Sequence, residues 1–585
     1  MRPVTSFAAL EEVLAVDTTS IDGAFWSSQP RASFAVVGDF GSGFNAPDGT
    51  LTNRINVNAK AVADGIRRVL PWTGEGSLIS VGDAIYVPFD GQNSPNFPNQ
   101  PETWLATNLT PYDQAIGTLY HPYIKFPPGS QSAFARKGSR TQRFLNVLGD
   151  HDWWHQPRNP VSGMLEFRMD EAKYPAAISS SPQPGYILPP EAEYMQYFSN
   201  QGAGSTSHSA RYFDRADGNV HWFALSSDAN ETLLGTLANA YYFGPYPDGY
   251  SPGMDNLLHS RQGQWFHKAV RRSRAPWKFV VTHYPPYTSS APDLAGHNSA
   301  VYMRWGFERY GVDAVFSGHV HAYERLYANG VTYVVTGGGG TFEPFAGFTD
   351  PQPGSQRRVK NRYGFVAADD RDGKIFFRYM SVRTPGTTQP PAVQDRFVLV
   401  RGGTLDSIAE IEQQNGIHIT SGGGTIQTQG FSATIAGGLV GRGELGKTGD
   451  GVLQITKPNP DFTGRIIILQ GEVALLASQA FGEATAWTLA GGTLRVTKGR
   501  LISTHPLRVE GTTSIILEQS GKLSFPASAA EAWTGRLAIT GLAGRRLRIG
   551  INSAGLTSSQ LEAIHFPDNP GAVARIDAGG YLIFG

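Results

Sequence analysis

Residues 314–325 read Ala-Val-Phe-Ser-Gly-His-Val-His-Ala-Tyr-Glu-Arg, and the first eight of them decide the fold. Ala314–Ser317 is a short apolar run of the kind that forms a buried strand. It ends on Gly318, and two imidazoles follow, His319 and His321. On a continuing strand these two would point to opposite faces. A glycine at the strand end permits a turn that brings both to the same side.

The same arrangement recurs at four earlier places. Ser33–Val37 runs into Gly38-Asp39-Phe40-Gly41. Leu78–Val81 runs into Gly82-Asp83-Ala84-Ile85-Tyr86. Phe144–Leu148 runs into Gly149-Asp150-His151-Asp152. Trp277–Thr282 contains Val280-Val281-Thr282 and ends on His283. In open α/β sheets ligands gather beyond the carboxyl ends of strands, so these five strand ends are expected to converge. A single Asp after a strand is more often a turn or cap residue. Five such ends in order carry a different meaning. Asp39, Asp83 and Asp150, the phenol of Tyr86, and His283, His319 and His321 make seven candidate metal ligands. That is enough for two cations sharing a carboxylate, roughly 3.5–4 Å apart. Oxygen and imidazole donors suit Fe, Mn or Zn.

Working outward, the stretch from residue 31 to 383 alternates strands and helices. Asn58–Val69 and Ser299–Tyr310 have helical spacing. Arg211–Phe213 with Val220–Ser226, and Tyr363–Ala368 with Lys374–Tyr379, flank Asp-Gly turns and read as hairpins. The expected fold class is α/β, a four-layer αββα sandwich. Residues 87–140 and 153–206 are long, Pro-, Gly- and Ser-rich loops. Gly337–Gly340 lacks the Lys-Ser/Thr of a phosphate loop and reads as a tight turn. His221 reads as a strand packing residue. Glu324 and Arg325 read as a structural ion pair.

Composition changes near residue 400. Residues 401–585 hold 31 of the 69 Gly but one of the 23 Tyr and two of the 11 Trp. Short β segments recur there at a period of roughly 20 residues. Examples are Gly451–Thr456, Arg465–Leu469, Glu472–Ala477, Trp487–Leu489, Thr493–Thr497, Leu507–Val509, Thr513–Leu517 and Lys522–Phe525. They predict an all-β solenoid, with a β-sandwich as the alternative. The expected organisation is an N-terminal extension over 1–30, a catalytic domain over 31–383, a linker over 384–402 and the Gly-rich domain over 403–585.

Charge and cysteine usage exclude other classes. The 585 residues contain 49 Lys+Arg and 49 Asp+Glu, so no net field favours nucleic acid or an anionic membrane. The absence of Cys removes disulfide scaffolds, thiol nucleophiles and iron–sulfur clusters. No apolar run reaches the ~18 residues of a transmembrane helix. The N-terminal residues lack the apolar core of a signal peptide. A secreted, periplasmic or surface location, with the leader absent from this chain, is the expectation.

The five motifs together resemble the calcineurin-like metallophosphoesterases, and within them the purple acid phosphatases. The matching residues are Asp39-Phe40-Gly41, Gly82-Asp83-Ala84-Ile85-Tyr86, Gly149-Asp150-His151-Asp152, Val280-Val281-Thr282-His283 and Gly318–Arg325. The hairpin strand Gly218–Ser227 resembles the family too. The resemblance implies a first metal held by Asp39, Tyr86 and His321, a bridging Asp83, and a second metal held by Asp150, His283 and His319. It implies Fe(III) at the Tyr86 site and Fe, Zn or Mn at the other. It implies hydrolysis of a small phosphate ester, a monoester foremost, by metal-activated water, with His151 and His297 contacting phosphate and assisting the leaving group. Diester or triester hydrolysis is the alternative on the same site. A surface-binding protein with an impaired phosphoesterase domain is the alternative of another class. Asp150 departs from the pattern, which has Asn there. Residues 443–476 resemble the autotransporter-associated β-strand repeat; no partner follows from that.

Overall fold

The computed structural model describes residues 33–41, 57–71, 74–84, 112–149, 152, 197, 212–227, 261–290, 303–341, 347–382, 392–406, 410–411, 414–436 and 438–585. Tyr86, Asp150, His151 and His297 lie outside the described residues, as do residues 1–30. The chain divides into two compact units, Met1–Asp369 with Phe377–Gln394, and Asp370–Phe376 with Asp395–Gly585.

In the first unit the strands are β1 (Phe34–Val37), β2 (Ser77–Ser80), β3 (Phe144–Asn146), β4 (Phe213–Asp217), β5 (Val220–Ala224), β6 (Trp277–Val281), β7 (Ala314–Ser317), β8 (Tyr323–Ala328), β9 (Val331–Thr336), β10 (Ser355–Val359), β11 (Gly364–Arg371) and β12 (Lys374–Ser381). One sheet runs β12-β11-β1-β2-β3, the other β10-β8-β9-β7-β6-β5-β4. β1, β2 and β3 are parallel neighbours, as are β5, β6, β7 and β9. The parallel strands are buried on both faces, which is why they read as unbroken apolar runs.

The two sheets face each other through aromatic rings. Phe34 of β1 packs edge-on against Trp222 of β5 and Phe279 of β6, with ring centroids 5.0 and 6.0 Å apart. Helix α1 (Val57–Val69) covers the outer face of the first sheet, burying Val62 and Ile66 with Val37 and Leu78. Pro71 follows closely and cannot continue the helix. Helix α2 (Arg261–Arg272) covers the second sheet, burying Phe266 and Val270 with Phe223 and Val280. The result is the expected αββα order. Parallel connectivity sets the carboxyl ends of β1, β2 and β3 side by side, and likewise those of β6 and β7.

Two expectations need correction. The helix read over 299–310 is, among the described residues, 3₁₀ at Met303 and over Phe307–Tyr310 and non-helical at residues 304–306. Gly306 and Gly311 adopt left-handed φ of 60° and 67°, which interrupts the spiral on both sides. Within the stretch read as a linker, Ala392–Val400 is a strand, because the apolar run Phe397–Val400 is buried; residues 383–391 lie outside the described residues.

The second unit is a β-solenoid of stacked parallel ladders. One ladder joins Thr404–Asp406, Gly424–Gln427, Glu444–Thr448, Arg465–Ile468, Ala486–Leu489 and Leu507–Val509. A second joins strands from Ala433–Ile435 to Ile564–His565, and a third Arg500–Ile502, Lys522–Phe525 and Leu547–Ile549. Hydrogen bonds between successive turns link residues 20 to 23 apart, close to the period read from sequence. Leu405, Ile426, Ile468, Leu489 and Val509 share one inward register and form an apolar column. Lys447 stands in that column, buried, and its ammonium donates to the carbonyls of Thr448, Gly449 and Gln470 at 2.9, 2.8 and 3.0 Å. Burial lowers its pKa to about 8.

Candidate metal centre

Each described candidate ligand sits at or just past a strand end. Asp39 follows β1 with φ 56°, Asp83 follows β2 with φ 52°, and His319 follows β7 with φ 65°. Left-handed backbone at a non-glycine residue costs about 1–3 kcal/mol and concentrates at functional sites. Here it turns three polar side chains back over the sheet ends.

Backbone hydrogen bonds stitch these turns together. The Asp39 N–H donates to the Gly82 carbonyl at 3.0 Å, and the Gly41 N–H to the Asp83 carbonyl at 3.1 Å. The Gly318 N–H donates to the His283 carbonyl at 2.9 Å. The His319 N–H donates to Asp39 Oδ2 at 3.1 Å. Gly337–Gly340 passes beneath: the Gly339 N–H donates to the Gly38 carbonyl at 2.8 Å, and the Thr341 N–H to the Asp39 carbonyl at 3.0 Å. A Cβ on Gly337 would lie 2.9 Å from Asp39 Oδ2, so the glycine run is a close-packed turn under the carboxylate.

The side chains converge. Ligand atoms of Asp39, Asp83 and His283 all lie within 4.8 Å of one another, and all three residues are buried. His283 Nδ1 lies 2.8 Å from the Val81 carbonyl, which requires the proton on Nδ1 and leaves a lone pair on Nε2. That Nε2 faces Asp83 Oδ2 at 3.3 Å. A lone pair facing a carboxylate oxygen is favourable only with a cation or proton between them. His321 Nε2 lies 3.5 Å from Asp39 Oδ1. The His319 ring is 5.4 Å from the His283 ring and 4.1 Å from that of Tyr284. Two buried carboxylates this close require compensating positive charge. The donor set, carboxylate oxygen with imidazole nitrogen, fits hard and borderline cations such as Fe, Mn or Zn. The residues present therefore fit a metal centre.

The structure brings Asp39, Asp83, His283, His319 and His321 to one place. Asp152 closes the third motif, and the sequence assigned it no role. It is buried, and its carboxylate accepts from Ala84 N–H at 3.0 Å and Gly149 N–H at 2.9 Å. Its signal was its place three residues after Gly149. Glu324 is not paired with Arg325 as expected. It is buried and accepts from the Thr288 hydroxyl at 3.0 Å, the Ser289 N–H at 2.7 Å and the Ser355 hydroxyl at 2.6 Å, while Arg325 donates to Gln356. Hydroxyls and an amide already supply Glu324 with donors. His221 sits between Ser273 Oγ at 2.8 Å and Asp214 Oδ2 at 3.0 Å and stacks on Phe223, holding the β4–β5 hairpin to the end of α2.

Residues 120–323 match the family described as calcineurin-like phosphoesterase. The matched span contains His283, His319 and His321 and begins after Asp39 and Asp83, which the fold returns to the same point. Among curated proteins, the chain is 34% identical over 158 residues to purple acid phosphatase 5 of Arabidopsis thaliana, covering 23% of this chain and 40% of that one. It is 34% identical over 156 residues to a purple acid phosphatase of Glycine max, covering 23% of this chain and 30% of that one. The chain spans less than half the length of these relatives. Among solved structures, a purple acid phosphatase from yellow lupin (Lupinus luteus) seeds matches with 15% identity and a TM-score of 0.36, over 63% of this chain and 53% of that one. Among the described residues no helix is long and apolar enough to cross a membrane.

Proposed function

We propose that the chain is a dinuclear metal-dependent phosphoesterase acting on small phosphate monoesters in the manner of an acid phosphatase. The observation that carries this reading is the convergence of Asp39, Asp83 and His283, buried, with ligand atoms within 4.8 Å, at the ends of three different strands. The phosphoesterase match and the purple acid phosphatase relatives support the substrate class.

In this reading Asp39, Tyr86 and His321 hold one cation, Asp83 is shared, and Asp150, His283 and His319 hold the other. Fe(III) at Tyr86, with Fe, Zn or Mn beside it, is the proposed pair; one relative is an Fe(3+)-Zn(2+) purple acid phosphatase. When bound, the two cations supply Lewis acidity toward phosphoryl oxygens and activate a water. The chain's own groups do the rest. The Nδ1 hydrogen bond to Val81 keeps the His283 ring fixed and its Nε2 lone pair directed at the centre. His151 and His297 donate to the phosphoryl oxygens and return a proton to the leaving oxygen. Asp150 carries a charge where the family pattern has neutral Asn, which lowers the Lewis acidity of its cation. The stretches 87–140 and 153–206, the first of them read as a loop but helical over Asp113–Tyr123, set the ester class. The solenoid serves as spacer or attachment element of a secreted or surface protein, with the catalytic part over 31–383.

The test is hydrolysis of p-nitrophenyl phosphate against bis(p-nitrophenyl) phosphate, after chelation and after reconstitution with Fe, Zn or Mn. Metal-dependent turnover favouring the monoester is expected. Faster turnover of the diester would replace the monoesterase reading. Turnover indifferent to chelation would end the metal reading.

A further inference from the structure

We infer that Asp152 is the positioning residue that fixes the shared carboxylate of the metal centre, by clamping the Asp83 turn to the turn that carries Asp150. This rests on the dinuclear reading above and adds to it a residue that touches no metal.

Four of the five strand-end turns are joined by backbone hydrogen bonds or by a candidate ligand itself. The first joins the second through Asp39 N–H to Gly82 and Gly41 N–H to Asp83. The second joins the fourth through the His283 ring to Val81. The fourth joins the fifth through Gly318 N–H to His283, and the fifth joins the first through His319 N–H to Asp39. The third turn is fastened to the second by a side chain that is not a ligand. Asp152 Oδ1 accepts from Ala84 N–H, the residue after Asp83, and Oδ2 accepts from Gly149 N–H, the residue before Asp150.

The clamp acts where there is no slack. A Cβ on Gly149 would lie 2.8 Å from Asp83 Cγ, and closer still to its amide nitrogen and Oδ1. The two turns are therefore in direct contact, and a change in their spacing displaces the Asp83 carboxylate. The clamp is also buried: Asp152 is 1% exposed. A carboxylate bonded to two N–H groups in such a place makes charge-assisted bonds, roughly twice as strong as neutral ones. Only an ionised carboxylate offers acceptors on both arms. An amide of the same shape offers one acceptor and turns its NH₂ on the other N–H.

The experiment uses the full chain, stripped with chelator and titrated with Mn²⁺ by calorimetry, as wild type, Asp152→Asn and Asp83→Ala. Loss of a partner that orients a metal ligand costs about 10–100-fold in metal affinity. Asp152→Asn is expected to fold and to bind Mn²⁺ weaker by that factor, with its metal-free melting temperature lowered by the lost charge-assisted bond. If the Asn variant does not fold, Asp152→Ser takes its place, since its single hydroxyl cannot hold both N–H groups. Unchanged Mn²⁺ affinity in a folded variant overturns the inference. So does a lowered metal-free melting temperature with unchanged affinity, which marks a purely structural bond. If wild type binds no Mn²⁺ and Asp83→Ala behaves identically, the dinuclear reading itself fails and takes the inference with it.

Discussion

Gly149→Ala is predicted to disable the metal centre without replacing a ligand. The added Cβ would lie 2.8 Å from Asp83 Cγ and closer to the Asp83 amide nitrogen. The backbone nitrogen cannot rotate away, so the two turns must separate by roughly 1 Å; a misplacement of that size at a reacting centre costs about 100-fold in rate. Overpacking of this kind also costs about 1–3 kcal/mol of stability, small enough for the variant to fold. Gly74→Ala is the control, since its nearest neighbour would be 3.6 Å away, an ordinary contact. The assay is kcat/KM for p-nitrophenyl phosphate with metal content on the same samples. Gly149→Ala should fall by about two orders of magnitude and hold less metal, with Gly74→Ala unchanged. A folded Gly149→Ala with wild-type turnover and metal content would refute the packing argument.

Other predictions are independent of that contact. If Fe(III) occupies the Tyr86 site, a visible charge-transfer band is expected that disappears in Tyr86→Phe; a band that persists assigns the chromophore elsewhere. Glu324→Gln replaces an acceptor-only group that faces Thr288, Ser289 and Ser355 donors, and should lower stability by roughly 2–3 kcal/mol in urea unfolding; an unchanged midpoint would show those bonds to be dispensable. The Lys447 ammonium has its pKa pushed down to about 8 from 10.5 by burial. Between those values the unfolded chain binds the proton and the folded chain releases it, so solenoid stability should rise with pH across that window. Hydrogen exchange at the Ile426 and Ile468 amides should slow accordingly after correction for intrinsic rates, and Lys447→Leu should flatten the trend; equal trends in both proteins would contradict it.

The strand-end motifs were legible because each combines an apolar run with a glycine and a polar ligand type, three local signals that agree. The solenoid was legible for a similar reason: segments such as Arg465–Ile468 and Thr493–Val496 alternate inward and outward residues between turns. The 3₁₀ turn at Phe307–Tyr310 was misread because helical spacing across Gly306 says nothing of that residue's left-handed backbone. The role of Asp152 was not legible because its bond to Ala84 spans 68 residues, and no local pattern encodes it. Lys447 and Glu324 are buried charges satisfied by carbonyls and by hydroxyls brought from other turns and strands. A charged residue in a short strand reads as solvent-facing until those partners are in place.

The central claim is that the five strand ends build one centre for two cations joined through Asp83. Metal analysis of purified wild type and Asp83→Ala tests it most directly. The account predicts two equivalents in wild type and neither retained in Asp83→Ala, with turnover lost alongside. Two equivalents and full activity in Asp83→Ala would contradict it.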